Sequence, residues 1–235
     1  MRIDLNADVG EGGGLDAALF AAGISSANVA CGAHAGDSAS IAACCSLAKR
    51  HGVALGAHPG YDDREGFGRR ERILAPEMAR VLLREQLRRL AAGAAAEGSR
   101  VAHVKPHGAL YHQANRDDGL AFALAVVAAV ECDGAALVGP PEGALREAAR
   151  RAGLRFIAEG FIDRAYLSDG TLMPRTAPGA VLTDETQAVA QALRLAKGGR
   201  VDTLCVHGDN PDSLSLLRGT CAALAGAGFR IEAPF

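Results

Sequence analysis

Arg2-Ile3-Asp4-Leu5-Asn6-Ala7-Asp8-Val9-Gly10-Glu11 opens the chain with unbroken alternation of apolar and polar residues. Side chains on a strand point to opposite faces with a period of two, so Ile3, Leu5, Ala7 and Val9 share one face and Asp4, Asn6 and Asp8 the other. Such a strand suits the solvent face of a sheet. It equally suits a barrel strand whose inward face supplies a site. The exit, Gly10-Glu11-Gly12-Gly13-Gly14, lets backbone approach a ligand with no Cβ atoms in the way.

Working outward, short apolar runs alternate with helical patterns. Strands are expected at Ile24–Ala30, Val53–Ala57, Val101–Lys105, Ala135–Val138, Leu154–Ala158 and Thr203–Val206, with a short last one at Phe229–Ile231. Asp37 or Ser38 caps a helix to about His51, and Pro76 opens a long one with Met78, Leu82, Leu83, Leu87, Leu90 and Ala94 as its apolar stripe. Further helices are expected near Asp16–Ala22, over Asp117–Val130 and Glu142–Ala152, from a Thr183 cap to Gly198, and after an Asn210 cap with Pro211 as first residue. Repeated strand–helix units imply a parallel sheet with right-handed crossovers. Seven or eight units in 235 residues match a closed α/β barrel. An open doubly wound sheet is the alternative, but its strands are usually continuous apolar runs. No linker or boundary interrupts the chain, which reads as a single domain over residues 1–235.

Composition narrows the partners. Hydrophobic residues make up 49 %, enough for a large core, and 25 basic against 27 acidic residues leave no electrostatic footprint for nucleic acid or an anionic membrane. The apolar run from Leu120 to Val130 is too short to span a bilayer. With no secretory signal at the start and six cysteines lacking any CxxC pair, a cytoplasmic protein with reduced thiols is expected.

In a βα barrel the site lies at the carboxyl ends of the strands. Those ends carry Asp8 and Glu11; Asn28, Cys31 and His34; His58; His103, Lys105 and His107; Glu159, Asp163 and Arg164; and Cys205, His207 and Asp209. The stretches leading into the barrel read as mostly small or apolar. Singly, each polar residue has a plain explanation: Cys31 as a core thiol, His51 as a surface group, His112 as a solvated helix entry. Lys105 resists this, because a buried ammonium needs a partner such as Asp4, Asp8 or a substrate acid. Together the strand ends describe a polar pocket. Two long connections, His58 to Leu74 and Glu159 to Ala180, carry arginines and aromatics and read as lids over an anionic ligand. No GxxxxGK[ST] or HExxH run occurs, and the Gly10–Gly14 run does not complete GxGxxG. A metal assembled through space from Asp8, His58 and His107 stays open.

Several segments resemble the LamB/YcsF family: Asp4–Glu11, Ser26–Asp37, Gly56–Tyr61, Gly66–Arg70, His103–Tyr111, Glu159–Arg164 and Val206–Asp209. They span nearly the whole chain in the family's order. Against the family pattern, Ala7 stands where cysteine is expected and Ala33 where phenylalanine is expected. The resemblance implies a seven-stranded βα barrel of the glycoside hydrolase/deacetylase type. It implies opening of 5-oxo-L-proline to L-glutamate while ATP becomes ADP and phosphate, in company with partner subunits B and C.

On that footing Asp8 or Glu11 serves as general base and His58 or His107 as general acid. Lys105 and Arg164 pair with the substrate carboxylate or a developing oxyanion. Asn6, Asn28, His34, Arg69, Glu159 and His207 contact or orient substrate, with Asp209 fixing the His207 tautomer. Two other readings stand beside this one: a stand-alone metal-dependent amide hydrolase or deacetylase, and a non-catalytic subunit that binds a small acid. The oligomeric state, a homo-oligomer included, is left open.

Overall fold

The structure is a computed structural model that describes residues 1–235. Seven parallel strands close on themselves: β1 (Arg2–Val9), β2 (Ser26–Ala30), β3 (Ala54–His58), β4 (Val101–Val104), β5 (Ala136–Gly139), β6 (Phe156–Phe161) and β7 (Thr203–Val206). β1 completes the ring by pairing with both neighbours, Asp8 opposite Asn28 on β2 and Asn6 opposite Cys205 on β7. A two-residue strand, β8 (Arg230–Ile231), lies beside the start of β1. No helix is long and apolar enough to cross a membrane.

The outward faces of the strands meet a shell of helices: α1 (Asp16–Ala21), α2 (Ser38–His51), α3 (Pro76–Ala96), α4 (Gly108–Ala114), α5 (Asp118–Glu131), α6 (Ala144–Arg151), α7 (Glu185–Gly198) and α8 (Ser213–Gly226). Ile3, Leu5, Ala7 and Val9 are buried in this layer with Leu83, Leu87 and Leu90 of α3 and Leu124 of α5. Burying a leucine or valine side chain is worth about 1.5–3 kcal/mol, so the β1 alternation fixes which way its acids face. Asp37 caps α2 in a reciprocal box with Ser40, and Asp117 caps α5 through the Leu120 amide.

Several expectations need correction. The sequence does not announce α4, because Gly108–Ala114 gives only two turns of apolar pattern. The α3 stripe runs through Ala79, Leu83, Gln86, Leu87, Leu90 and Ala94, while Met78 is exposed. Gln86 is buried because its amide is satisfied twice by the backbone of Gly60. Asp184, not Thr183, caps α7. α8 begins at Ser213, and Asn210 instead turns its amide to the Leu182 carbonyl and Asp163. β6 extends to Phe161, so Glu159 lies within the strand.

The strand starts are polar as well. Asp4 accepts from Ser25 (2.6 Å), Ser26 (2.7 Å) and Thr203 (2.6 Å) inside the barrel. Beside them His103 donates to Asn28 Oδ1 at 2.7 Å and stacks on Phe235, which packs with Ala136, Val138 and Ile157 to cover this end. Gly56 is required here, since a Cβ on it would fall 1.9 Å from His103 Nε2.

Candidate active site

Period two carries the inward face of β1 from Asp4 through Asn6 to Asp8, each one layer nearer the carboxyl mouth. Asn28 ties two of these layers together, donating to Asn6 Oδ1 (2.7 Å) and Asp8 Oδ1 (2.8 Å). Above them Lys105, only 2 % exposed, places its ammonium 2.9 Å from Asp8 Oδ1, 2.9 Å from Glu159 Oε1 and 3.0 Å from Cys205 Sγ. Its partners are therefore Asp8 and Glu159, while Asp4 is held by hydroxyls.

Charge compensation sets the protonation states. Burial alone would raise the Asp8 carboxyl, but its neighbours His58 and Lys105 outweigh it and hold Asp8 well below the usual carboxylate range. Burial likewise opposes the Lys105 ammonium, and Asp8, Cys205 and Glu159 reverse that, pushing it well above an ordinary lysine. Glu11 has the opposite fate: burial, with Asp8 and Asp209 nearby, drives it well above the carboxylate range.

The exits of four adjacent strands bring Glu11, His34, His58 and His107 together. One ligand atom from each lies within 4.8 Å of all the others. This differs from the expected trio by gaining Glu11 and His34; Asp8 stands to one side, with Oδ2 3.4 Å from His58 Nε2. His34 stacks flat on His107 at 3.7 Å.

On the far side of the mouth His207 Nδ1 lies 2.9 Å from Asp163 Oδ1, and its amide donates to Asp163 Oδ2 at 3.0 Å. Asp163 thus orients His207. Asp209, expected in that role, pairs with Arg69 from the first long connection and Arg175 from the second. The two lids meet there. Burial is offset at Asp163 chiefly by His207, and its carboxyl stays below the ordinary value.

A cavity of about 760 Å³ opens over this set, lined among others by Asp8, His58, Lys105, His107, Arg164 and His207. Arg69 joins the same lining. Asn6, Asn28, His34, Glu159, Glu11 and Asp209 do not line it, but each touches a residue that does. Arg164, 4 % exposed, donates to the Ala180 and Met173 carbonyls and has no carboxylate in ion-pair contact. The site also takes in Cys205 and Asp163, placed by the sequence at the strand ends without a chemical role, and the lining residues Tyr111, His112 and Arg175, which the sequence reading leaves out of the pocket. Extending the alternation one step finds two of them: Cys205 lies between Thr203 and His207, and Asp163 follows Glu159 and Phe161 on the same side.

The closed parallel barrel is a fold this chain shares with deacetylases. The catalytic domain of the peptidoglycan N-acetylglucosamine deacetylase from Eubacterium rectale shares the fold at a TM-score of 0.58 and 10 % identity, over 100 % of this chain and 88 % of that one. The chain belongs to the LamB/YcsF family, which it matches over residues 3–235. It is 44 % identical to the A subunit of the 5-oxoprolinase from Thermus thermophilus, over 99 % of this chain and 100 % of the relative. It is also 44 % identical to the protein of that name from Symbiobacterium thermophilum, over 99 % and 95 %. The crystal structure of the lactam utilization protein from Thermus thermophilus superposes with a TM-score of 0.91 at 43 % identity, covering 99 % of this chain and 100 % of the other.

Proposed function

We propose that this barrel hydrolyses a cyclic amide, opening 5-oxo-L-proline to L-glutamate as ATP becomes ADP and phosphate, and that it does so in the cytoplasm with two partner subunits. The observation that carries the reading is the presence on one cavity of an ionised carboxylate, Asp8, and a buried guanidinium, Arg164, that has no carboxylate in ion-pair contact. A small lactam bearing a carboxylate supplies what that arrangement lacks.

A five-membered lactam is a poor electrophile whose ring closure is favoured; phosphorylation of its amide oxygen activates the carbon, water adds there, the C–N bond breaks to leave an acyl phosphate, and a second water releases phosphate and glutamate. The chain has no phosphate-cradling GxxxxGK[ST] run, which supports assigning activation to the partners. The barrel then holds the substrate carboxylate on Arg164 and stabilises negative charge at the reacting carbon with Lys105. Asp8 takes the proton from the attacking water. Glu11 is turned away from this role, toward His34, His58 and His107.

The departing ring nitrogen needs a proton. His58 Nδ1 and His107 Nε2 each face a backbone carbonyl, at 2.8 Å in both cases, so their protons point away from the cavity. His207 is better placed: Asp163 holds Nδ1 and leaves Nε2 free to carry a proton to the ring nitrogen. The reading is tested by glutamate release from 5-oxo-L-proline and ATP, with and without the partner subunits. Release only from the complete mixture, matched by ADP, supports it; ATP-independent release by the chain alone contradicts it.

A further inference from the structure

His58 Nδ1 lies 2.8 Å from the Lys105 carbonyl, and His107 Nε2 lies 2.8 Å from the Phe67 carbonyl. Carbonyl oxygens only accept, so each of those ring nitrogens carries its proton. In the neutral rings, the other two nitrogens, His58 Nε2 and His107 Nδ1, are then bare lone pairs. They face each other at 3.0 Å. The carboxylate oxygen Glu11 Oε1 points into the same space, 3.4 Å from His107 Nδ1, 3.2 Å from His34 Nε2 and 3.9 Å from His58 Nε2. All four side chains are almost fully buried, so water does not separate these acceptors. Four electron-pair donors converging in a dry space repel one another unless something positive sits between them.

We propose that Glu11, His34, His58 and His107 form a binding site for a divalent cation of the zinc class, tying together the exits of β1, β2, β3 and β4. With bonds of about 2.0–2.1 Å, ligand atoms at the corners of a tetrahedron stand about 3.3 Å apart. Four of the six separations, 3.0, 3.2, 3.4 and 3.9 Å, scatter around that edge, and all six are within 4.8 Å. Three imidazoles and one carboxylate favour zinc over magnesium or calcium, which take oxygen ligands. The outer hydrogen bonds of His58 and His107 to carbonyls are the support that metal-binding histidines use to fix tautomer and ring orientation.

Backbone strain is spent on the same feature. Phe67 is the one non-glycine residue with positive φ (+52°). Its carbonyl receives His107 Nε2, and its ring packs edge-on against His34 and His107. Left-handed backbone at a phenylalanine costs of order 1–3 kcal/mol and persists where the surroundings impose it. When bound, such a cation polarises an amide carbonyl brought to it. The site does not depend on which amide is opened or on the partner subunits, so its test is separate from that of the reaction.

The test is metal binding by the isolated chain after chelation and dialysis. One Zn²⁺ per chain is expected, with a rise in thermal midpoint, and Co²⁺ should give visible absorption of tetrahedral intensity. Glu11→Gln and His107→Gln, checked for folding by circular dichroism, should each weaken Zn²⁺ binding at least 100-fold. His112→Gln, on the same cavity but outside the cluster, should leave the affinity within twofold. The proposal is overturned if folded wild-type chain takes up no stoichiometric Zn²⁺, or if uptake is unchanged in both cluster variants. It is also overturned if Co²⁺ shows only octahedral absorption, or if imidazole NMR finds His58 and His107 sharing a proton in the presence of saturating Zn²⁺.

Discussion

At the closed end of the barrel Asp4 accepts from three hydroxyls. Four residues further along the same strand and face, Asp8 meets Lys105, Asn28 and His58. Both carboxyls are almost fully buried, yet burial pushes Asp4 up while the charges around Asp8 pull it far down. The closed end satisfies its polar groups with neutral donors, which fixes strand register but leaves the Asp4 carboxyl raised by burial. The mouth concentrates ionised groups that tolerate burial only by compensating one another. Chemistry belongs where charge is kept ionised against its environment.

Removing the central cation should break the mouth most severely. Lys105→Met leaves Asp8 and Glu159 uncompensated, so a stability loss of about 3–5 kcal/mol is expected in urea melts. Glutamate release per folded chain should drop at least 1,000-fold. Retention of half the activity would remove Lys105 from the reaction. A narrower change at the same end is Arg164→Gln. Losing a charged hydrogen bond of about 1.5–3 kcal/mol should raise KM for 5-oxo-L-proline about 10- to 100-fold, with kcat less affected. A fall in kcat at unchanged KM would assign Arg164 to the reacting atoms instead.

The smallest effect sharpens the other side of the comparison. Burial, with the Lys105 charge adding to it, lowers His103 from 6.5 to about 3. Between those values the unfolded chain holds a proton that the native one does not, so stability falls as pH drops below 6.5, down to about 3. The slope is about 1.4 kcal/mol per pH unit for one full proton. His103→Gln should remove that proton's share from urea melts between pH 6 and 4, while turnover per folded chain stays within a few-fold.

Much of this division was legible in the amino-acid sequence. Period two on β1 places Asp4, Asn6 and Asp8 inward, and the same rule puts His103 and Lys105 together. Which acid pairs with which cation was not legible, because that depends on register between strands distant in the chain. Glu159 reaches Lys105 only because β6 runs three residues beyond the apolar stretch that announces it. The Asp209 assignment failed for a related reason: it sits two residues from His207, but the lid arginines claim it, and Asp163 arrives from another strand exit. Gln86 shows the limit of apolar patterning, since a polar residue paired twice to backbone is buried as readily as a leucine.

The most direct test is a matched pair of substitutions on one face of β1, Asp4→Asn and Asp8→Asn, assayed for glutamate release from 5-oxo-L-proline and ATP in the complete assembly. Asp8→Asn is expected to lose turnover at least 1,000-fold, while Asp4→Asn keeps turnover per folded chain within about threefold and shows only a lowered melting temperature. Near-normal turnover in Asp8→Asn, or equal losses in both, would contradict a mouth that does the chemistry and a closed end that only holds the fold.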